Sequence, residues 1–185
     1  MAHFTDALTE EHAAFIARQP VFFVATAAEG ARINLSPKGY DSFRVLGPNR
    51  VAWLDLGGSG NETQAHLNAD GRITIMFCAF DNPALILRIY GRGVPVHPED
   101  QGFAALAALF PRLPGVRQVF DIAVESVQTS CGWGVPHMSL ERERPTLVKY
   151  HGQQEPAARL AKIAGRTKSI DGLPVRVQTL IPEWD

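Results

Sequence analysis

Residues 32–80 read RINLSPKGYDSFRVLGPNRVAWLDLGGSGNETQAHLNADGRITIMFCAF, and the fold of the chain turns on them. Strand-like runs are interrupted by the turn Ser36-Pro37-Lys38-Gly39. A second break, Gly57-Gly58-Ser59-Gly60-Asn61-Glu62-Thr63, leads straight into a short helical segment. Small residues, backbone amides and a helix N-terminus together make an anion site. A flat apolar strand face beside such a loop suits a phosphorylated aromatic molecule.

Within this stretch, residues 32–36 alternate polar and apolar side chains, as a half-buried strand does. Pro37-Lys38-Gly39 is expected to break that strand. Residues 43–46 and 51–55 read as further strands joined by the turn Gly47-Pro48-Asn49-Arg50. Residues 57–61 are a loop and 62–68 a short helix. Residues 72–80 and 85–96 are longer strands around Asp81-Asn82-Pro83.

Upstream, Thr9 is an N-cap with Glu10 and Glu11 well placed for the helix dipole. The helix should run to about Arg18, bury Ala13, Phe15 and Ile16, and stop at Pro20. Residues 21–27 (VFFVATA) are rich in strand formers, and Glu29-Gly30 supplies a turn. Downstream, Pro98, Glu99 and Asp100 open a second helix with Phe103, Leu106, Ala107 and Phe110 on its apolar side. Residues 119–128 form another strand, 130–136 (SCGWGVP) a loop, 155–164 a helix and 170–174 a turn. This pattern gives about six or seven strands in the first 130 residues. Their connections are mostly too short for parallel crossovers, so they should be antiparallel. The implied architecture is mainly β with short helices: a closed or split β-barrel with a helical C-terminal extension. The expected division is a barrel domain over 1–140 and an extension over 141–185, packed on the barrel or on a partner copy.

The 185 residues fit one domain with an appendage, and 45% hydrophobic content supplies a sizeable core. Eighteen basic and 19 acidic side chains leave a formal net charge of −1. No basic tract argues for nucleic acid, and the balance gives no reason to expect an anionic membrane partner. No apolar run approaches the roughly 18 residues of a membrane span, and the N-terminus does not read as a secretory signal. A cytoplasmic protein is expected. Cys78 lies in an apolar run and Cys131 in a polar loop; they match no metal spacing, and a structural disulfide is not favoured.

The residues 57–63 loop offers amides, Ser59, Asn61 and Thr63 to a phosphate, though by spacing alone it reads first as a common glycine-rich turn with Asn61 or Ser59 as helix cap. It is neither a Walker loop nor a complete dinucleotide fingerprint. Arg32 and Lys38 flank one strand and could neutralise a phosphate, or be solvated charges. Asn34 and Ser36 share one face of that strand. Trp53 reads as core, whereas Trp133 sits in a glycine-rich loop, where by default it packs on its own barrel and otherwise could cover a ligand or seal a subunit contact. The histidines have no i,i+3 or i,i+4 pairing, so no metal site is read. Asp55, Glu62 and Asp81 read as surface carboxylates available in principle for acid–base work. With no nucleophile elbow or triad order, any catalysis would rest on a cofactor.

The succession NLSPKGYDSFRVL, VAWLDLGGSGNETQAHL, GRITIMFCAF, ILRIYGRG and SCGWGVPHM, with SIDGLP further on, resembles the pyridoxamine 5'-phosphate oxidase-like, FMN-binding split-barrel family. It is more similar to that family's bacterial branch than to the vitamin B6 oxidase itself. The likeness runs from about Val21 to Met138. It implies a six-stranded antiparallel split barrel that forms a homodimer, with FMN in clefts between subunits. It implies cofactor contacts from Arg32, Asn34, Leu35, Ser36 and Lys38, with Ser59, Asn61 and Thr63 at the phosphate and Trp133 reaching the pocket.

The family's oxidase carries an adjacent Arg-Lys pair in the phosphate stretch; this chain has Gly60-Asn61-Glu62-Thr63 there. Its C-terminal substrate-binding pattern has no match in QTLIPEWD. The implied activity is therefore an FMN-dependent oxidoreductase acting on an unidentified small substrate rather than the vitamin B6 reaction. Alternatives are a flavin-binding carrier or redox sensor without turnover, or a split barrel binding deazaflavin F420 or haem, the latter through His66 or His97.

Overall fold

The computed structural model describes residues 2–177 and 179. The tail QTLIPEWD lies, apart from Thr179, outside the described residues. The element order is β1 (His3–Thr5), α1 (Glu10–Ala17), β2 (Phe22–Thr26), β3 (Asn34–Lys38), β4 (Phe43–Gly47), β5 (Arg50–Leu56), α2 (Glu62–Ala69), β6 (Arg72–Cys78), β7 (Ile86–Val96), α3 (Phe103–Ala107), β8 (Val116–Ser130), α4 (Thr146–Gly152) and α5 (Pro156–Ile163).

The strands form one antiparallel sheet with the order β3-β2-β6-β7-β8-β5-β4, and β1 pairs with β8 off that path. It has eight strands because the short β1 joins those the sequence pattern outlines. The sheet is open: β3 and β4 end the path without pairing to each other. It curls nonetheless. Phe22 of β2, next to one end of the path, and Phe43 of β4, at the other end, have ring centroids only 5.1 Å apart. Phe77 stacks on Phe22 at 5.5 Å, and Trp53 stacks on Phe120 at 4.6 Å. These rings, with Val24, Ile75, Ile89 and Ile122, fill the concave face. A second cluster lies outside, where Phe103, Leu106 and Phe110 cover Ala52, Leu54 and Val119. Burial on both faces explains why β5 reads as a nearly continuous apolar run rather than an alternating one.

Thr9 caps α1 as the sequence implies: its hydroxyl accepts from the His12 amide, and the His12 ring accepts from the Thr9 amide. Phe15 and Ile16 are buried, while Ala13 is only partly so. One boundary differs in kind. Pro37 and Lys38 continue β3 rather than break it, in register with Phe23 and Phe22. Because β3 is an edge strand, the missing N–H of Pro37 costs no ladder bond. The helix expected to open at Pro98 starts later, after a turn closed by Gly102 at φ +92°. Helix α4, which the sequence did not reveal, docks where Gly115 leaves room for the His151 ring.

Candidate functional site

The loop after β5 is fastened from three directions. The Gly57 amide donates to the Gly115 carbonyl at 2.8 Å, and the Gly57 carbonyl accepts from His151 Nε2 at 2.7 Å. Arg117 of β8 donates to the Gly60 carbonyl at 2.8 Å. Arg166, beyond α5, donates to the carbonyls of Gly58 and Ser59, both at 3.2 Å. The carbonyls are thus engaged. Among the described residues, no acceptor takes the backbone N–H groups of Ser59, Gly60, Asn61, Glu62 or Thr63, and Asn61 provides no side-chain cap to α2. Free amides at the first turn of an eight-residue helix are the donors an anion uses.

Two cavities share this loop. The smaller, about 220 Å³, lies between the loop and β3, where Asn34, Ser36 and Lys38 face it together with Thr63 and Arg117. The larger, about 650 Å³, lies between the loop and the segment from Ile163 to Arg176. Gly58 to Glu62 and Arg117 line both.

The floor of the smaller cavity is a buried polar network. Asp55 and Gln118 face each other in the β5–β8 ladder, and the Gln118 amide donates to Asp55 Oδ2 at 2.8 Å and to Asn61 Oδ1 at 3.0 Å. Arg117 completes an ion pair with Asp55 at 2.7 Å, both side chains largely shielded from water. Gln64 donates to Gln118 Oε1 at 2.7 Å and to His97 Nε2 at 3.1 Å. His97 must therefore accept at Nε2 as a neutral ring. Burial holds its pKa below the ordinary histidine value; Arg176 and Arg117 lower it further while Asp100 and Glu99 oppose. Burial likewise lowers the Lys38 pKa, Asp55 pulling upward and Arg117 downward. The Lys38 ammonium lies 4.8 Å from the Trp53 ring centroid.

Asn34, Ser36, Lys38, Ser59, Asn61 and Thr63, which the sequence proposes as site residues, all line the smaller cavity. The alternation along β3 places 34, 36 and 38 on one face. Leu35 is on the opposite face and 66% exposed. Arg32 does not line the cavity; its backbone amide and guanidinium both donate to Asp171. Trp133 is 86% exposed and absent from the lining of both cavities. His66 and His97 are buried and line neither. Asp55, read as a surface carboxylate, is instead 1% exposed. The sequence missed Arg117 and Gln118, which meet Asp55 only through the non-local β5–β8 pairing, and Gln64, which joins them through Gln118. It also missed Arg166 and Lys168, whose approach to the loop depends on how the chain after α5 folds back.

An antiparallel sheet curled into an open barrel, with an anion-ready loop between β5 and α2, defines the split-barrel class. The pattern of the family described as pyridoxamine 5'-phosphate oxidase matches residues 8–131. The pyridoxamine 5'-phosphate oxidase family protein ustO of Aspergillus flavus is 35% identical over 193 aligned positions, covering 94% of this chain and 78% of that one. This chain belongs to the pyridoxamine 5'-phosphate oxidase family. Two solved structures share the fold. The HupZ protein of Group A Streptococcus is 24% identical with a TM-score of 0.52, covering 65% of this chain and 91% of that one. A Lactobacillus delbrueckii protein, described as a candidate pyridoxamine 5'-phosphate oxidase, is 20% identical with a TM-score of 0.55, covering 66% and 94%.

Among the described residues, no group of three or more His, Cys, Asp or Glu is placed to hold a metal ion. Within the same residues, no helix is long and apolar enough to cross a membrane.

Proposed function

We propose that this chain is a cytoplasmic FMN-binding flavoprotein, an oxidoreductase that exchanges a hydride between the flavin and a small organic substrate. The observation that carries the reading is the juxtaposition of free amides at residues 59–63 with Lys38, Ser36 and Thr63 around one cavity, within this family's fold. The donor set fits a phosphate: amides and hydroxyls give directed hydrogen bonds, and Lys38 supplies a charge that Arg117, neutralised by Asp55, does not. This compensates for the adjacent Arg-Lys pair that the chain lacks.

When bound, the flavin would supply hydride-transfer chemistry. The protein's own residues would bind and orient it. Lys38, Ser36 and the loop would hold the phosphate, and β3 would support the ring from the Asn34 face. Ile33, just before this edge strand, and Leu35 on it are 78% and 66% exposed, an apolar strip that a second copy of the chain would cover. We therefore propose a homodimer with the ring between subunits and Trp133 available to the partner's pocket. The barrel over 1–140 would carry the site, and 141–185 would act as the extension that braces it.

A second reading, a flavin carrier or redox sensor without turnover, is favoured by one observation. Asp55, the buried carboxylate of the cavity, is held at Oδ2 by the Arg117 guanidinium and the Gln118 amide, the arrangement of a structural ion pair. Haem ligation by His66 or His97 gains no support, since neither residue lines either of the two cavities at this loop.

The test is the visible spectrum of protein purified without added cofactor, with any chromophore released and identified by mass, followed by anaerobic reduction with candidate donors. Release of FMN with multiple turnovers supports the oxidoreductase. Tight FMN binding without turnover supports the carrier. A colourless protein that fails to bind added flavin overturns both.

A further inference from the structure

The 650 Å³ cavity between the loop and the segment after α5 has the volume of a ligand site, typically about 300–1,000 Å³. Five charged side chains line it: Glu62, Arg117, Arg166, Lys168 and Arg176. Arg117 is neutralised by Asp55, and Arg176 pairs with Glu99 and Asp100. Those three acids and Glu62 balance the four cations, so the cavity and its immediate partners carry no net charge. The balance is not achieved by pairing throughout. The Glu62 carboxylate accepts from the Ile170 amide through both oxygens, at 3.1 and 3.2 Å, and Arg166 donates to the Gly58 and Ser59 carbonyls. These partners are neutral: they satisfy hydrogen bonds and leave the charges in place. Among the described residues, Lys168 has no acidic partner, and no ion pair joins Glu62 to Arg166 or Lys168.

Unpaired charges of both signs therefore line one space, Glu62 at the start of α2 and the two cations on the segment after α5. A ligand of one sign would answer one wall, leave the other without a counter-charge as water is displaced, and upset the balance. A ligand that carries an anion and a cation meets both walls and adds no net charge. The remaining wall is apolar, formed by Ile163, Ile170 and Val175. Ile170 stays 71% exposed, so the chain leaves wet an apolar surface that an occupant's hydrocarbon would cover.

We infer that the larger cavity binds an apolar zwitterion, an α-amino acid or a short peptide with both termini free. Lys168 and Arg166 hold its carboxylate, Glu62 holds its ammonium, and Ile163, Ile170 and Val175 cover its aliphatic side chain. The site is additional to the flavin reading and needs no occupant in the smaller cavity. It gives the segment after α5 a role in ligand selection.

The test is calorimetric titration of the full chain with L-leucine and L-leucyl-L-leucine, each also with its amine acetylated or its carboxylate amidated. The wild type, Lys168→Ala and Glu62→Gln are compared. The wild type should bind at least one of the two zwitterions about tenfold more tightly than either of its blocked forms, as loss of one charge-assisted contact gives. Whichever zwitterion binds tighter reports the charge spacing, short for the amino acid and longer for the peptide. Lys168→Ala should weaken the zwitterion about tenfold and leave the amidated form, which has no carboxylate, unchanged. Glu62→Gln keeps an acceptor for the Ile170 amide; it should weaken the zwitterion and leave the acetylated form, which has no ammonium, unchanged. An acetylated form that binds as tightly as its zwitterion would mark a simple anion site and overturn the inference. So would a wild type that binds none of the compounds, or variants that weaken all of them equally.

Discussion

Arg32 and Asp171 lie 139 positions apart and are joined twice: the Arg32 backbone amide donates to Asp171 Oδ2 at 2.8 Å, and its guanidinium donates to Oδ1. The contact pins the turn after α5 against the start of β3. It also engages the one cation that the family resemblance places at the flavin but that this fold turns away from the cavity.

Removing that contact should cost little stability. The Arg32 side chain is 70% exposed, and ion pairs of this kind contribute about 0.2–1 kcal/mol. Asp171→Ala should therefore shift the melting temperature by no more than about 4 °C. If the released Arg32 turns to the cavity, flavin affinity should rise in parallel. A fall in affinity would show instead that the turn matters as a brace for the loop.

Lys38 should discriminate by phosphate. Lys38→Gln keeps a hydrogen-bonding side chain but removes the charge from the 220 Å³ cavity. FMN binding should weaken about tenfold. Riboflavin, which lacks the phosphate, should bind wild type and variant alike. Equal weakening of both ligands would place Lys38 at the ring.

Two glycines should differ in severity. A Cβ on Gly91 would lie 2.1 Å from the Ala123 carbonyl oxygen, at the bulge where β7 and β8 shift register. Backbone cannot yield there without breaking the central ladder, so Gly91→Ala should cost more than about 4 kcal/mol and yield little folded protein. A Cβ on Gly115, already at φ +84°, would meet the His151 ring at 2.2 Å. That ring belongs to α4, which can undock. Gly115→Ala should fold, melt lower, and expose α4 to limited proteolysis.

The neutral His97 ring sets a pH dependence. Its folded pKa is depressed, so the unfolded chain takes up a proton first as pH falls through about 6.5. The associated stability is present above that pH and is lost as pH drops below it. Urea unfolding from pH 7.5 to 5.5 should show a falling midpoint, and His97→Gln should flatten part of the slope. His12, also depressed by burial, contributes with the same sign, which is why the comparison between variants is the informative one.

Half of the candidate site was legible because it is local. Asn34, Ser36 and Lys38 alternate along one strand, and residues 57–63 carry the glycines and cap residues of a loop entering a helix. Period-two patterning fixes which side chains share a face, whatever lies opposite. Asp55 was misread for the complementary reason. Nothing in VAWLDL distinguishes a carboxylate at a strand end in water from one paired with Arg117 and Gln118 inside the sheet. That distinction exists only once β5 and β8 are in register.

By itself, the sequence determined an antiparallel, mainly β chain with short helices, the aromatic content of its core, and the loop that offers amides to an anion. These follow from side-chain period, turn residues and chain connectivity, all of which act over a few residues. Only the tertiary structure decided that Pro37 is tolerated because β3 is an edge, and that Arg32 answers to Asp171. The fold also decided that Arg117 is neutralised while Lys38 remains available, and that the segment after α5 closes a second, larger cavity against the same loop. Each of these depends on which distant groups share a low-dielectric space, and such pairings are set by packing of the whole chain rather than by any stretch of it.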